Sequence, residues 1–430
     1  MRALALIDGE HYPEVVRAAF AETVYDVVGA VMLGGTEKLR EDAEYGVPLY
    51  ESLENGLRES RPEVVLDLSD EPVLDAKRRF RLASRVLAAG LPYVGADFRF
   101  DPVEFEPFEL PALGIIGSGK RVGKTAVSGH VARVLSRSRE VVVVAMGRGG
   151  PAEPVVTEAE PTVEDLLALS RAGTHAASDY LEDAALARVA TVGARRCGGG
   201  LAGAPFVSNV GEAARLAASL KPDLVVFEGS GAAFPPVETG RRILVAGAGQ
   251  DPENVAGYLG AYRLLLSDLV VLTGCEEPLA DRGQVARLRA AIADVKPGLP
   301  VIATILRPSP VASVGGRKVA YFTTAPEPIQ ARLRRHLEEE HGAEVVFVSG
   351  NLSRRRELRA ELDSAAARGA EVFLVEIKAA AIDVVAEAAA ERALPVIFCD
   401  NEVRPLAGEP DLDAQLVALA DAVSTERVPA

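Results

Sequence analysis

Cysteine is scarce: Cys197, Cys275 and Cys399 are three in 430 residues, far apart and without a C-x-x-C pair. That excludes a disulfide framework and gives no sign of a zinc site, leaving free thiols. Positive charge is also in short supply. Forty-seven Lys+Arg stand against 62 Asp+Glu, a net charge of −15 at pH 7. Such a balance opposes non-specific attraction to nucleic acid or anionic lipid, so neither is expected as a partner. Long apolar runs are missing too. Stretches such as Val141 to Met146 and Leu269 to Leu272 fall far below the roughly 18 to 20 residues of a membrane span. The first apolar stretch meets Asp8, Glu10 and His11 before it reaches signal-peptide length, so a cytoplasmic protein is expected. Lysine is rare within the basic set: eight lysines leave 47 − 8 = 39 arginines. Two of those eight, Lys120 and Lys124, lie four residues apart.

What is present is globular. Hydrophobic residues make up 48 % and charged residues 25 %, enough apolar matter for a core, and the length suggests two or three domains. Short apolar runs alternate with helix-like spacing along the whole chain, which predicts an α/β protein of three units. Residues 1–105 read as a small N-terminal α/β domain, followed by Asp-Pro and Glu-Pro breaks. Residues 106–310 carry strand-like runs at Leu113, Val141, Leu224, Ile243, Leu269 and Val301, predicting a mostly parallel, P-loop NTPase-like sheet covered on both faces. Residues 311–430 repeat the pattern with strands at Val319, Val345, Val372 and Val396 and helices at 329–340, 354–368 and 382–392. The two outer domains are expected to be smaller and Rossmann-like.

The strongest motif is Gly117-Ser-Gly-Lys-Arg-Val-Gly-Lys-Thr125, after a strand-like run and before a helical one. Backbone N–H groups of such a loop cradle phosphates, so Gly117, Ser118, Gly119, Lys120, Arg121, Val122, Gly123, Lys124, Thr125 and Ala126 are the candidate nucleotide-binding residues. Lys124 can reach the outer phosphates and Thr125 can ligate Mg²⁺. A strict G-x-x-x-x-G-K-[ST] pattern would place glycine where Ser118 stands, so the first glycine is offset to Gly117. Downstream, Lys221-Pro-Asp-Leu-Val-Val-Phe-Glu-Gly-Ser-Gly231 ends an apolar run in an acid, and its resemblance to the strand of the dethiobiotin synthetase group whose acidic residue serves magnesium implies Glu228 as the second metal residue.

Cations cluster between these motifs. Arg148 lies in Met146-Gly-Arg-Gly-Gly-Pro151, and Arg195 and Arg196 in a glycine-rich segment read as a turn. Arginines among glycines suit bidentate phosphate binding, although each pair also fits a solvated turn. Arg241 and Arg242 add a further pair. With Lys120 and Arg121 this exceeds what one ATP needs and implies a second anionic substrate. The candidate catalytic set is Lys120, Lys124, Arg148, Arg195, Arg196 and Glu228. Asp179, Glu182 and Asp183 would share a helix face and could orient cations or merely start a helix. His130 and His175 have no partner at ligand spacing. Asp8, Glu10, His11, Thr36 and Lys38 suit loop capping or a small-anion site, and scarce Lys378 suits either a surface role or closure over the site.

The offset loop and the Glu-Gly-Ser-Gly element resemble dethiobiotin synthetase and its P-loop relatives. The ordered set that includes Leu6-Ile-Asp-Gly-Glu-His-Tyr12, Ser178-Asp-Tyr-Leu-Glu-Asp183, Arg195-Arg-Cys-Gly-Gly-Gly200, Tyr321-Phe-Thr-Thr-Ala-Pro326 and Glu376-Ile-Lys-Ala-Ala-Ala-Ile-Asp383 resembles the cyclic 2,3-diphosphoglycerate synthetase family over nearly the whole chain. The resemblance implies an ATP-dependent ligase that closes 2,3-diphosphoglycerate into a ring through a phosphoanhydride, with release of ADP and phosphate. It also implies Mg²⁺, with K⁺ as a candidate monovalent ion. A homodimer is the expectation drawn from the P-loop class. The alternatives are a P-loop small-molecule kinase and a nucleotide-switched regulatory protein. The second would need a guanine-selecting motif or a Cys/His cluster, and the sequence has neither.

Overall fold

A computed structural model describes residues 1–38, 43–158, 160–364 and 369–425, in two compact units. The first unit holds Met1–Val103 together with Pro252–Leu266. Its sheet has the order β3-β2-β1-β4-β5-β6, from β1 (Arg2–Ile7), β2 (Asp26–Met32), β3 (Leu49–Tyr50), β4 (Val64–Asp67), β5 (Tyr93–Val94) and β6 (Arg99–Phe100). All neighbours are parallel except β5 and β6. The helix Ala76–Ala88 starts where Asp75 accepts the N–H of Arg78, and it buries Ala83, Val86 and Leu87 on one face. Against this helix packs a short helix from far along the chain, Gly260–Leu265, with Pro252–Ala256 packed in turn on that one. Phe80 meets Tyr258 edge-on at 5.6 Å, and Lys77 pairs with Glu253 at 3.0 Å. The segment 252–266, read from sequence as part of 106–310, thus belongs to the N-terminal unit.

The second unit, Glu104–Asp251 with Ser267–Ala430, is built on one long sheet. Its strands are β7 (Ala112–Gly117), β8 (Val141–Gly147), β9 (Val155–Thr157), β10 (Ala190–Cys197), β11 (Val207–Ser208), β12 (Leu224–Glu228), β13 (Arg241–Gly247), β14 (Leu269–Thr273), β15 (Val301–Pro310), β16 (Lys318–Phe322), β17 (Glu344–Ser349), β18 (Val372–Val375) and β19 (Val396–Pro405). The order is β11-β10-β8-β12-β7-β13-β14-β15-β19-β18-β16-β17, and β9 pairs with β10. From β10 to β15 every pairing is parallel. Burial on both faces explains the unbroken apolar runs. In β8, Val141 and Val143 face one core cluster with the helix Lys124–Leu135, while Val142, Val144 and Met146 face another with the helix Val210–Ser219. Each such valine stabilises the fold by roughly 1.5 to 3 kcal/mol.

The boundary read at residue 310 falls at the end of β15, where the sheet continues. One part of β19 pairs parallel with β18, and its remainder runs antiparallel to β15, from Thr304 opposite Pro405 to Pro310 opposite Cys399. The central and C-terminal parts therefore share one compact unit. The helix read over 382–392 is a π-helix, Ala381–Ala386, running into the α-helix Glu387–Glu391. The helix expected over 354–368 is Arg355–Leu362, and residues 365–368 lie outside the described ones.

Candidate active site

The glycine-rich loop connects β7 to the helix Lys124–Leu135, and two glycines have a steric reason. Gly123 caps the helix at φ +75°, and a Cβ there would also stand 3.0 Å from the Leu306 side chain. A Cβ on Gly117 would stand 2.7 Å from the carbonyl oxygen of Gly231, to which the Gly117 N–H donates at 3.0 Å. The offset glycine thus allows the loop to rest on the segment after β12. The loop is braced by residues that no motif names. The Ser118 hydroxyl donates to Gln250 Oε1 at 2.5 Å, the Gly247 N–H donates to the same oxygen at 2.9 Å, and Thr273 Oγ1 donates to the Val122 carbonyl at 2.7 Å. Arg121 sits in the left-handed region at φ +59° with its side chain exposed. The unsatisfied N–H groups of Lys124, Thr125 and Ala126 make this helix start suited to an anion.

Behind the loop lies a buried charge cluster. The ammonium of Lys124 bonds Glu228 Oε1, and Glu228 is fully buried at the end of β12 with Oε2 unpartnered. Asp183, from the helix Asp179–Ala187, lies against Glu228 with its own Oδ2 buried and unpartnered. Burial, and then the charge of Glu228, hold the Asp183 carboxyl well above the usual carboxylate range. One residue earlier, Glu182 reaches Lys378 Nζ at 2.9 Å. Burial pushes Glu182 up to about 7 against the opposing charge of Lys378, with Asp179 and Glu228 adding to the rise. Asp179 lies beside the end of β8, its Oδ2 3.6 Å from where a Cβ on Gly147 would stand. The acidic helix is therefore part of the site, which the i, i+3, i+4 spacing allowed without deciding.

Around this centre stand the expected cations. Arg196 donates to the carbonyls of Gly198 at 2.6 Å and Ser230 at 2.9 Å. Burial, then the charge of Arg148, lowers its pKa, which puts the two guanidinium groups in one neighbourhood. Arg196 Nη2 and Lys120 Cγ both come within about 4 Å of where a Cβ on Gly231 would stand, so the loop lysine and the arginine flank that glycine. Arg148 and Lys120 are exposed and Arg196 is half-buried. Arg195 and Arg196 are the two residues before the last one of β10, not a turn. Successive strand residues face opposite sides, so Arg195, exposed and anchored through its N–H to Asn209 Oδ1 at 2.7 Å, is not brought together with Arg196. The weak apolar alternation of Ala190–Cys197 concealed this strand. Arg241 and Arg242 start β13, at the end of the sheet opposite the loop, where Arg242 stacks on Phe105 at 4.5 Å.

In the N-terminal unit, Asp8 is wholly buried and caps its own loop. Its oxygens accept the N–H of Glu10 at 3.0 Å and of Asp70 at 2.7 Å, and His11 Nδ1 lies 2.7 Å away. Glu10 accepts the N–H of Thr36 at 3.2 Å, and Lys38 bonds Glu37 at 2.9 Å. His130, in the P-loop helix, pairs with Asp413 at 2.8 Å.

Three family models described as cyclic 2,3-diphosphoglycerate synthetase match the chain: the P-loop domain over residues 112–305, the N-terminal domain over 2–101 and the C-terminal domain over 310–402. The chain belongs to this family. Within the cyclic 2,3-diphosphoglycerate synthetase family, the protein of Rubrobacter xylanophilus is 53 % identical over 99 % of both chains. That of Methanothermus fervidus is 43 % identical over 93 % of this chain and 92 % of its own, and that of Thermococcus kodakarensis is 43 % identical over 99 % of both. Among solved structures, LpxK from Aquifex aeolicus is similar at a TM-score of 0.43 and 13 % identity, covering 74 % of this chain and 90 % of that one. As the alternation of apolar runs and helical spacing predicted, the fold is α/β with the P-loop in a mostly parallel sheet. Gln250, which braces the loop, has no signal in the motifs, whereas Glu182, Asp183 and Lys378 are legible there only as one of two alternatives each.

Proposed function

We propose that this protein is an ATP-dependent ligase that joins the two phosphates of 2,3-diphosphoglycerate in a cyclic phosphoanhydride, releasing ADP and phosphate. The observation that carries this reading is the pairing of a complete P-loop with more fixed cations than one nucleotide requires, in a chain of this family. Two phosphates and a carboxylate bring a charge of roughly −4 to −5. Without neighbouring cations, approach of a third phosphate would be prohibitive. Lys120, Arg148 and Arg196 lie where they can neutralise the acid substrate, and Arg195 stands at the exposed rim. Lys124 exchanges Glu228 for the nucleotide phosphates. One substrate phosphate then attacks the γ-phosphorus with expulsion of ADP, and the second attacks the substrate phosphorus of the mixed anhydride and expels inorganic phosphate. Ionised phosphate oxygens are already nucleophiles, so positioning and charge neutralisation carry the catalysis and no general base is needed.

Thr125 and Glu228 fit a magnesium ion: both offer oxygen, and Glu228 Oε2 is a buried acceptor without a partner. Magnesium prefers one or two such groups together with water and substrate phosphates. When bound it offsets charge developing on the transferred phosphoryl group. K⁺ as an activating ion, a homodimer and a cytoplasmic location complete the reading. No helix among the described residues is long and apolar enough to cross a membrane. The test is to incubate the protein with Mg-ATP and 2,3-diphosphoglycerate and follow phosphorus resonances. An anhydride signal with stoichiometric phosphate release is expected, faster in K⁺ than in Na⁺. ATP turnover indifferent to the acid would sink the reading, and stable phosphoryl transfer without phosphate release would replace it with a kinase.

A further inference from the structure

Lys378 lies far along the chain from the glycine-rich loop and the arginine segments, yet the chain is shaped to present it. It follows β18 by three residues, and the next residue, Ala379, is held at φ +45°, a conformation that costs a residue with a Cβ of order 1 kcal/mol or more. The Lys378 N–H donates to the Glu376 carbonyl at 2.9 Å, and its own carbonyl accepts the Ala381 N–H at 2.9 Å, where the π-helix begins. Strained residues and π-turns concentrate at working sites. The platform beneath is rigid. The Glu376 carboxylate accepts from Thr323 Oγ1 at 2.7 Å, the Thr324 N–H at 3.0 Å and Asn401 Nδ2 at 3.1 Å.

From this platform Lys378 Nζ reaches both oxygens of buried Glu182, at 2.9 and 3.1 Å. Burial works against its cation, but the charges of Glu182, Glu376 and Asp179 outweigh that and raise its pKa. The helix carrying Glu182 has no side-chain cap at Ser178; Leu181 and Leu186 anchor its apolar side in the core shared with Ile377, Ala381 and Ile382, and the Lys378 bond is the polar contact that fixes Glu182 on it. The same helix presents Asp179 to the end of β8 and Asp183 to Glu228.

We infer that Lys378 is a positioning residue for phosphoryl transfer, the residue through which the C-terminal part of the sheet holds the acidic helix in register with Glu228 and the glycine-rich loop. This rests on the proposed function, because it assigns Lys378 to the cation-dependent half of that site. Releasing Lys378 loosens Asp179 and Asp183 while the loop keeps its own braces at Gln250 and Thr273. Cation-assisted nucleotide binding and turnover then suffer, and metal-free nucleotide binding does not.

The test uses the full chain as Lys378→Met, Lys378→Arg and the double variant Glu182→Gln/Lys378→Met, which leaves no unpaired charge if the single variant fails to fold. Three quantities are read: affinity for a fluorescent ATP analogue in EDTA, the Mg²⁺ concentration that half-restores tight binding, and turnover to the anhydride. In the double variant the EDTA affinity is expected to match wild type, while the Mg²⁺ requirement rises and turnover falls by about tenfold or more, the scale of lost supporting contacts at metal sites. Lys378→Arg should keep most of both. A double variant with wild-type Mg²⁺ response and turnover overturns the inference, as does an EDTA affinity that falls as far as the Mg²⁺ response. If wild type makes no anhydride, the reaction reading fails alone, since the Mg²⁺ response of nucleotide binding still decides the role of Lys378.

Discussion

Replacing Lys124 by Met tests the buried cluster most directly. Lys124 is 9 % exposed and Glu228 0 %, and Glu182 and Asp183 lie close by at 6 % and 2 %. Three acids therefore face two lysines, Lys124 and Lys378. Removing Lys124 leaves three facing one, with Glu228 deprived of its partner. Breaking a buried pair from one side costs about 3 to 5 kcal/mol, because the remaining charge has neither water nor a counterion. At about 2 °C per kcal/mol for a large domain, Lys124→Met should melt roughly 6 to 10 °C below wild type without nucleotide or Mg²⁺. The double variant Lys124→Met/Glu228→Gln removes both charges and should recover most of that loss. Neither variant should make anhydride, because losing a phosphate-binding cation costs about 10² to 10³ in rate. Scanning fluorimetry at pH 7 gives the first pair of numbers and phosphorus spectra the second. A single variant as stable as wild type, or a double variant no better than the single, would refute the uncompensated-charge argument.

Gly123→Ala places a Cβ at φ +75° and 3.0 Å from Leu306, so nucleotide affinity should fall sharply, with a stability loss of about 1 to 3 kcal/mol by chemical denaturation. Arg196→Ala should raise KM for 2,3-diphosphoglycerate more than for ATP, with a smaller effect for Arg195→Ala, and equal losses for both substrates would contradict the placement. The pKa of Glu182 rises from 4.5 to about 7 on folding, so the folded state holds an extra proton and wild type loses stability as pH climbs through that window. Glu182→Gln should therefore gain on wild type between pH 4.5 and 7, by up to about 3 kcal/mol, in urea unfolding at stepped pH. A gap that narrows with rising pH would contradict the assignment.

Much of this was readable from local pattern. A strand, a glycine-rich loop and a helix start lie within a score of residues, and an N–H cradle is a property of consecutive backbone, so the phosphate site was visible before any folding. The apolar runs of the central strands reported burial on both faces for the same reason. Arg148, Arg195 and Arg196 are legible because arginine among glycines exposes a guanidinium fork and backbone N–H groups suited to phosphate, and Lys120 because a scarce lysine lies in the loop itself.

Other features had no local signal. Segment 252–266 reads as any short helix, and only its packing on Ala76–Ala88 assigns it to the first unit. The join at residue 310 depends on β19 reaching back to β15, a pairing between residues almost a hundred positions apart. Arg195 and Arg196 look equivalent in sequence and are separated by the two-residue period of a strand that was not recognised. Glu182 and Lys378 are 196 positions apart, and their pairing exists only because the sheet closes that distance. By itself the sequence determined the family, the phosphate loop and the supply of cations, because these are set by residue type and by neighbours along the chain. The tertiary structure alone decided which charges are buried together, since the cost of burying a charge depends on what surrounds it in space.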